Sequence, residues 1–174
     1  YLALTDECIR TFDTNCKMNP PLRTAEDVAE VKQGIVDGTI DALISDHAPH
    51  ASQEKDVEFS LAPFGIIGME SELPVFIREL VTPGLLSWSQ FIAKMTVNPA
   101  RILRLPKGAL EVGACADVTI IDPDIVWTIR AKDFYSKSRN CPFDGWEVTG
   151  QAEAVIVGGR FKKRDGRLGY DLGA

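Results

Sequence analysis

Hydrophobic positions in the first 50 residues predict two short strands with a helix between them. Residues 1–4 and 40–45 are apolar runs typical of buried parallel strands. Between Thr24 and Gly38, apolar residues recur every three or four positions, which predicts a helix. Thr24 and Asp27 form a capping box at its start, and Gly38 stands where a helix-ending glycine belongs. The order strand, helix, strand indicates a βαβ unit.

The middle of the chain is predicted to be helical. A helix is expected over residues 69–81, interrupted by Pro74. Ser87 followed by Gln90 is a second capping box and starts another helix. The pair at residues 98–99, Asn-Pro, starts a short helix that runs through residue 103, because proline fits the first helical turn.

Beyond Pro106, glycines punctuate short runs of β-branched residues, which predicts a β-rich segment. Strands are expected at residues 118–121, 126–129 and 154–157. Gly158 and Gly159 lie between apolar residues and predict a tight hairpin. The charged tail from Lys162 onwards is expected to fray.

This change of character divides the chain into an α/β part, residues 1–105, and a β-rich part, residues 106–174. With 174 residues, 45% hydrophobic and 25% charged, the chain has the composition of a folded globular protein. A net charge of -6 argues against a nucleic-acid surface, and the short apolar runs argue against a membrane span. The first residues carry acids and no basic n-region, so no signal peptide is expected. The four cysteines form no C-x-x-C pair, which favours reduced thiols in a cytoplasmic protein.

The two histidines of the sequence both lie in the hexapeptide Ser-Asp-His-Ala-Pro-His, residues 45–50, directly after the second predicted strand. Functional groups collect at the carboxyl ends of parallel strands. A carboxylate beside two imidazoles suits cation binding and proton transfer, with Asp46 at the strand end. The alternative is a polar loop in which Asp46 caps the following turn, and the hexapeptide alone does not decide between them.

Two further segments have the chemistry to contact a ligand. Asn19 precedes a double proline, and its amide both donates and accepts, which suits a cyclic amide. For this segment alone, a turn leading into the helix is the favoured interpretation. Residues 62–68 form a glycine-rich loop whose backbone N–H groups suit a carboxylate, although turns of this composition are common.

Three stretches, KMNPPLR, GTIDALISDHAPH and EKDVEFSLAPFGIIGMESELP, resemble in this order the dihydroorotases of the common bacterial type, a family of metal-dependent amidohydrolases. The later stretches NPARIL, GALEVGACADVTIIDPD, SKSRNCPFDGWEVTG and VIVGGRF resemble the end of the same enzymes, so the resemblance spans essentially the whole chain. It implies an α/β fold, a (β/α)8 TIM barrel with two zinc ions and a small flanking β-sandwich. This chain is then expected to supply barrel strands seven and eight with the helices that follow them, and C-terminal strands of the sandwich.

The same resemblance implies zinc-dependent, reversible hydrolysis of dihydroorotate to N-carbamoyl-aspartate in pyrimidine biosynthesis. Asp46 is implied to be both a Zn2+ ligand and the general base. Asn19, His50 and the backbone around Phe64 and Gly65 are implied substrate contacts. The resemblance implies no ligand role for the remaining histidine, residue 47, which is expected to support or pack.

The His-x-His pair and the bridging metal ligand of the family have no counterpart in this sequence, which also lacks an initiator Met. A complete (β/α)8 barrel needs about 250 residues. We therefore expect a C-terminal fragment that holds no binuclear zinc site and is inactive alone. Its unpaired barrel strands are expected to self-associate or to be completed by upstream residues.

Three other functions stay open. The first is another cyclic amidohydrolase, such as a hydantoinase or allantoinase. The second is a non-catalytic dihydroorotase-like subunit that scaffolds aspartate carbamoyltransferase. The third, a structural β-sandwich module, leaves the order of the motifs unexplained. The expected partners are a small-molecule substrate, a second copy of the chain or aspartate carbamoyltransferase, with neither nucleic acid nor membrane.

Overall fold

The computed structural model describes residues 1–169, in which a helical part precedes an antiparallel sheet. The helices are α1 (Ala25–Val36), α2 (Ser52–Lys55), α3 (Glu72–Phe76, continued by a π-helical turn over Ile77–Val81), α4 (Trp88–Met95) and α5 (Val97–Ile102). Short 3-10 turns cover Asp6–Ile9, Thr14–Cys16 and Ala131–Asp133. The strands are β1 (Val118–Thr128), β2 (Glu147–Val157), β3 (Arg160–Arg164) and β4 (Arg167–Leu168). Within the described range, no helix is both long and apolar enough to cross a membrane.

The predicted capping residues fix the starts of two helices. The Thr24 hydroxyl accepts a hydrogen bond from the Asp27 N–H, and the Asp27 carboxylate accepts one from the Thr24 N–H. Ser87 and Gln90 make the same reciprocal pair at α4. These side chains satisfy N–H groups that have no intrahelical partner, so both predictions are confirmed. Gly38, just past α1, has a φ of +87°, a conformation that favours glycine.

Pro74 does not interrupt the third helix, contrary to prediction. The helix begins at Glu72 rather than near residue 69, so Pro74 lies in its first turn. A backbone N–H in that turn has no intrahelical acceptor, and proline therefore costs no hydrogen bond there.

Residues 1–4 and 40–45 are not β-strands, and no βαβ ladder forms within residues 1–169. The prediction of two parallel strands is therefore wrong for this chain. The two segments nevertheless contribute to the hydrophobic core, because Leu2, Leu4 and Leu43 are buried. A strand needs a neighbouring strand to pair its backbone groups, and none lies beside either segment in this part of the chain.

Helices α4 and α5 supply part of the missing pairing for residues 40–45. The Leu43 N–H donates to the carbonyl of Lys94 at 3.1 Å. The Lys94 ammonium, on a buried side chain, donates to the carbonyl of Ile40 at 2.6 Å. The Asn98 amide donates to the carbonyl of Asp41 at 2.8 Å. Two helix side chains and one helix carbonyl thus hold residues 40–43.

The sheet has the order β1-β2-β3-β4, with every neighbouring pair antiparallel. The predicted strands at 118–121 and 126–129 are one strand, because two register shifts bulge β1 without ending it. Gly158 and Gly159 have φ values of +57° and +78°, so the predicted hairpin turn is confirmed. β3 and β4 are ordered where fraying was expected, and the rest of that predicted tail, residues 170–174, lies outside the described residues.

Two hydrophobic clusters form the core. The first packs residues from both sides of position 105 together: Leu4, Cys16, Leu22, Ile66, Ile67, Val75, Ile129, Ala131, Cys141, Phe143 and Val148. The second surrounds α1 and α4: Leu2, Ile35, Leu43, Ile77, Leu80, Leu86 and Phe91. The division at residue 105 stays a prediction, but the first cluster brings residues 129–148 against the loops that carry the site.

Candidate active site

A cleft of about 250 Å³ lies between the first residues of the chain, residues 40–46 and the start of α3. Asn19, Asp46 and Gly65, three of the residues predicted from sequence, line it together. Leucine, isoleucine and valine side chains supply much of the remaining wall. The structure thus joins an amide and a carboxylate at one apolar concave surface, a combination typical of small-molecule sites.

Asp46 has a φ of +47°, the left-handed conformation, and its side chain is exposed. Aspartate tolerates this conformation better than most residues because its short polar side chain bonds locally. The phenol of Tyr1 lies nearby and donates to the carbonyl of Pro20 at 2.6 Å. Burial, and then the negative charge of Asp46, raise the pKa of that phenol. Asp46 therefore places an accessible negative charge in the cleft.

A second carboxylate in the cleft belongs to Glu72, at the start of α3. Burial raises the pKa of Glu72, while a hydrogen bond from Ser45 opposes that rise. Sequence reasoning missed Glu72, because only the fold shows that α3 begins beside residue 45.

His47 supports the loop around Gly68. Its Nδ1 accepts hydrogen bonds from the backbone N–H groups of Gly68 and Met69, at 3.1 and 3.3 Å. An accepting Nδ1 leaves the proton of the neutral ring on Nε2. The ring is thereby held between two backbone donors.

His50 lies behind the loop that forms the cleft wall. Its Nε2 donates to the carbonyl of Phe64 at 2.9 Å, and its Nδ1 lies 3.8 Å from the Glu54 carboxylate. Its ring faces a separate polar pocket of about 320 Å³, which Arg139 also lines. The Phe64 ring is 54% exposed, with the Lys17 ammonium 4.8 Å from its centroid. The structure does not bring His50 to the wall of the cleft that holds Asp46.

Gly65 occupies a position that only glycine fits without strain. Its φ is +113°, and a Cβ there would lie 2.6 Å from the Cβ of Ala48. Its N–H donates to the carbonyl of Lys17 at 2.9 Å. Its carbonyl accepts from the Lys55 ammonium at 3.2 Å and from the Asn140 amide at 3.1 Å. The backbone groups of Gly65 are therefore paired inside the protein.

Asn140 is the second residue that sequence reasoning missed. It lies in the stretch SKSRNCPFDGWEVTG, which sequence analysis used only for its resemblance. The one local sign was a polar residue beside Cys141, which is buried in the first cluster.

Residues 1–169 do not form a complete metal site. Among residues 1–169, no group of three or more His, Cys, Asp or Glu side chains could hold a metal ion. The cleft offers the carboxylates of Asp46 and Glu72 as metal donors, and neither histidine lines it. The four cysteines are free thiols.

The amidohydrolase family matches residues 8–162. A dihydroorotase of Pelotomaculum thermopropionicum is 52% identical over 165 residues, which cover 95% of this chain and 39% of the relative. A dihydroorotase of Geobacter metallireducens is 52% identical over 160 residues, covering 92% of this chain and 38% of the relative. The chain thus spans about two fifths of the length of these relatives.

Solved structures show the same fold. The L-hydantoinase (dihydropyrimidinase) from Arthrobacter aurescens superposes with a TM-score of 0.90 at 32% identity, over 97% of this chain and 38% of that chain. The D-hydantoinase (dihydropyrimidinase) from Thermus sp. gives a TM-score of 0.81 at 27% identity, over 89% of this chain and 35% of that chain. The expected fold class, an α/β C-terminal part of an amidohydrolase TIM barrel followed by C-terminal strands, is confirmed. By the family match and by these relatives, the chain belongs to the amidohydrolase family.

Proposed function

We propose that this chain is part of a dihydroorotase, which reversibly hydrolyses the cyclic amide of dihydroorotate to N-carbamoyl-aspartate in pyrimidine biosynthesis. The observation that carries the proposal is the exposed Asp46 carboxylate, which shares one apolar cleft with the Asn19 amide. The 52% identity to dihydroorotases over nearly the whole chain favours this substrate within the family.

Asp46 is the proposed general base. Its carboxylate takes a proton from the attacking water and delivers it to the ring nitrogen as the amide C–N bond breaks. Proton transfer by a positioned side chain contributes about 10²–10⁴-fold to rate. The exposed position of Asp46 in the cleft suits this role, because a reacting water and a ring both need direct access.

Asn19 and the loop around Gly65 are the proposed substrate contacts. The Asn19 amide has a donor and an acceptor, which match the C=O and N–H of a cyclic amide. Gly65 lines the cleft and forms a wall for the ring, because its N–H and carbonyl already have protein partners, and the neighbouring Phe64 stays a proposed contact. His50 bonds the Phe64 carbonyl behind this wall, and its role as a substrate contact stays a proposal.

Zinc is the proposed metal of the enzyme, with Asp46 as one ligand. Residues 1–169 do not complete a site, so we propose that the other ligands lie elsewhere in the enzyme, and no step above depends on them. We expect the isolated chain to bind no stoichiometric zinc and to leave dihydroorotate unchanged. Zinc bound at one or more equivalents, with hydrolysis, would contradict this part of the proposal.

A comparison of three substrates tests the function. The purified enzyme that contains this chain is assayed with dihydroorotate, hydantoin and allantoin. We expect the highest kcat/KM for dihydroorotate. A preference for hydantoin would instead support the hydantoinase alternative, whose relative from Arthrobacter aurescens is 32% identical to this chain.

The cytoplasm is the proposed cellular setting. Free thiols at all four cysteines suit the cytoplasm.

A second copy of the chain and aspartate carbamoyltransferase are the proposed protein partners. Sedimentation of the enzyme with and without the transcarbamoylase distinguishes a catalytic enzyme from a non-catalytic scaffold, when it is paired with the activity assay.

A further inference from the structure

Asn140 is a buried amide between the two loops that form the back of the cleft. Its side chain is 3% exposed. Its Nδ2 donates to the carbonyl of Ala48 at 2.9 Å and to the carbonyl of Gly65 at 3.1 Å. Its Oδ1 accepts from the His50 N–H at 3.4 Å. One side chain from the β-rich part thus bonds residues 92 and 75 positions earlier in the chain.

The surroundings of this amide fix its orientation. Nδ2 has two hydrogens and faces two carbonyls, while Oδ1 faces an N–H. The reversed amide would set an oxygen against both carbonyls. The main chain adds a further bond, because the Asn140 carbonyl accepts from the Ile67 N–H at 3.0 Å.

We propose that Asn140 is a positioning residue that sets the spacing between the His50 loop, residues 46–50, and the Gly65 loop, residues 63–68. The inference rests on the proposed function, because the Gly65 loop is the proposed wall for the substrate ring and the His50 loop begins at Asp46.

Two direct bonds join the loops, and Asn140 adds three further bonds on the side of the buried core. The Ala48 N–H donates to the carbonyl of Ile66 at 2.8 Å, and His50 bonds the carbonyl of Phe64. Loss of the amide removes the bonds to the Ala48 carbonyl and the His50 N–H, whereas the Gly65 carbonyl keeps Lys55. The loops then separate on the side of the buried core.

Two variants of the whole enzyme test the role. Asn140→Ala removes the amide, and Asn140→Asp keeps its shape but removes both donors. Asn98→Ala is the matched control, because it also deletes an asparagine bond to a backbone carbonyl, that of Asp41, away from both loops. Leaving buried groups unpaired in the wall should raise KM for dihydroorotate about tenfold or more, while kcat changes by less than about threefold.

The readouts separate positioning from general stability. A rise in KM for both Asn140 variants, with the KM of Asn98→Ala near wild type and similar melting temperatures, supports the proposal. An unchanged KM, or equal loss of kcat in all three variants, overturns it. If Asn140→Ala does not fold, Asn140→Asp alone decides.

Hydrogen–deuterium exchange gives a readout that is independent of the substrate. Faster exchange in peptides of both loops in Asn140→Asp, but not in Asn98→Ala, supports the positioning role. Unchanged exchange overturns it. If the wild-type enzyme does not hydrolyse dihydroorotate, the proposed function fails, and the exchange result decides the role of Asn140 by itself.

Discussion

Replacing Gly65 by alanine should force apart the two loops that meet behind the cleft. Gly65 has a φ of +113°, and an alanine Cβ there would lie 2.6 Å from the Cβ of Ala48. Carbon atoms pack at about 3.5–4.0 Å, so one loop must move by about 1 Å. The Ala48 methyl group has no rotamer that avoids the contact, and the bond from its N–H to the Ile66 carbonyl opposes the movement.

Two costs add in this variant. Holding an L-residue in the left-handed region costs about 1–2 kcal/mol. Overpacking a tight contact costs about 1–3 kcal/mol. We therefore expect Gly65→Ala to lower the free energy of unfolding by about 2–5 kcal/mol.

Two other glycines isolate each cost. Gly84 has a φ of +76° with no heavy atom within 4 Å of a built Cβ, so Gly84→Ala measures the backbone cost alone. At Gly68, outside the left-handed region, a built Cβ lies 2.6 Å from the Cβ of Ser45, so Gly68→Ala measures the contact alone. Urea denaturation of the three variants should give a Gly65→Ala loss close to the sum of the other two. A Gly65→Ala loss no larger than that of Gly84→Ala would refute the close contact.

Three further outcomes are expected. Thr24→Ala should lower the free energy of unfolding by about 1 kcal/mol, measured by urea denaturation, because it removes the cap of α1; an unchanged midpoint contradicts this. Burial raises the pKa of the Cys16 thiol to about 12, so about one Cys16 thiol in 10⁴ is ionised at pH 8. In the native protein, iodoacetamide should therefore label the exposed Cys115 far faster than Cys16. Comparable labelling rates would argue against the burial of Cys16. The Lys107 ammonium, and then the Gly158 N–H, lower the pKa of Asp117 to about 2 from 3.8. The contribution of Asp117 to stability is therefore present above about pH 4 and lost as the pH falls towards 2. Asp117→Asn should make the melting temperature depend less on pH across that range. An unchanged acid dependence in this variant would exclude the contribution.

The parts of the fold that could be predicted from the sequence depend on residues close together in the chain. The capping box at Thr24 and the glycine turn at residues 158–159 follow from local backbone chemistry, and both form. The strands at residues 1–4 and 40–45 do not form, because pairing needs a neighbour that these segments lack within residues 1–169. An apolar run predicts burial, which Leu2, Leu4 and Leu43 show, but it does not supply a partner strand.

The same distinction between local and long-range contacts separates the site residues that were predicted from those that were missed. Asn19 and Asp46 were predicted from their motifs, and the cleft brings them together. Glu72 and Asn140 were missed, because their positions depend on how distant segments pack. Asn140 lies 92 residues from the carbonyl it bonds at Ala48, and no spacing in the sequence encodes that contact.

The role of Asp46 is tested most directly by steady-state hydrolysis of dihydroorotate with the Asp46→Asn variant of the enzyme that contains this chain. Asparagine keeps the size of the side chain and removes its ability to accept a proton at catalytic pH. Asp41→Asn, on the same segment, is the matched control, because that exposed carboxylate lies outside the cleft. We expect kcat to fall by about 10²–10⁴-fold or more in Asp46→Asn, with an unchanged circular dichroism spectrum and near-normal kcat in Asp41→Asn. Near-normal turnover by Asp46→Asn would contradict the assignment of Asp46 as the general base.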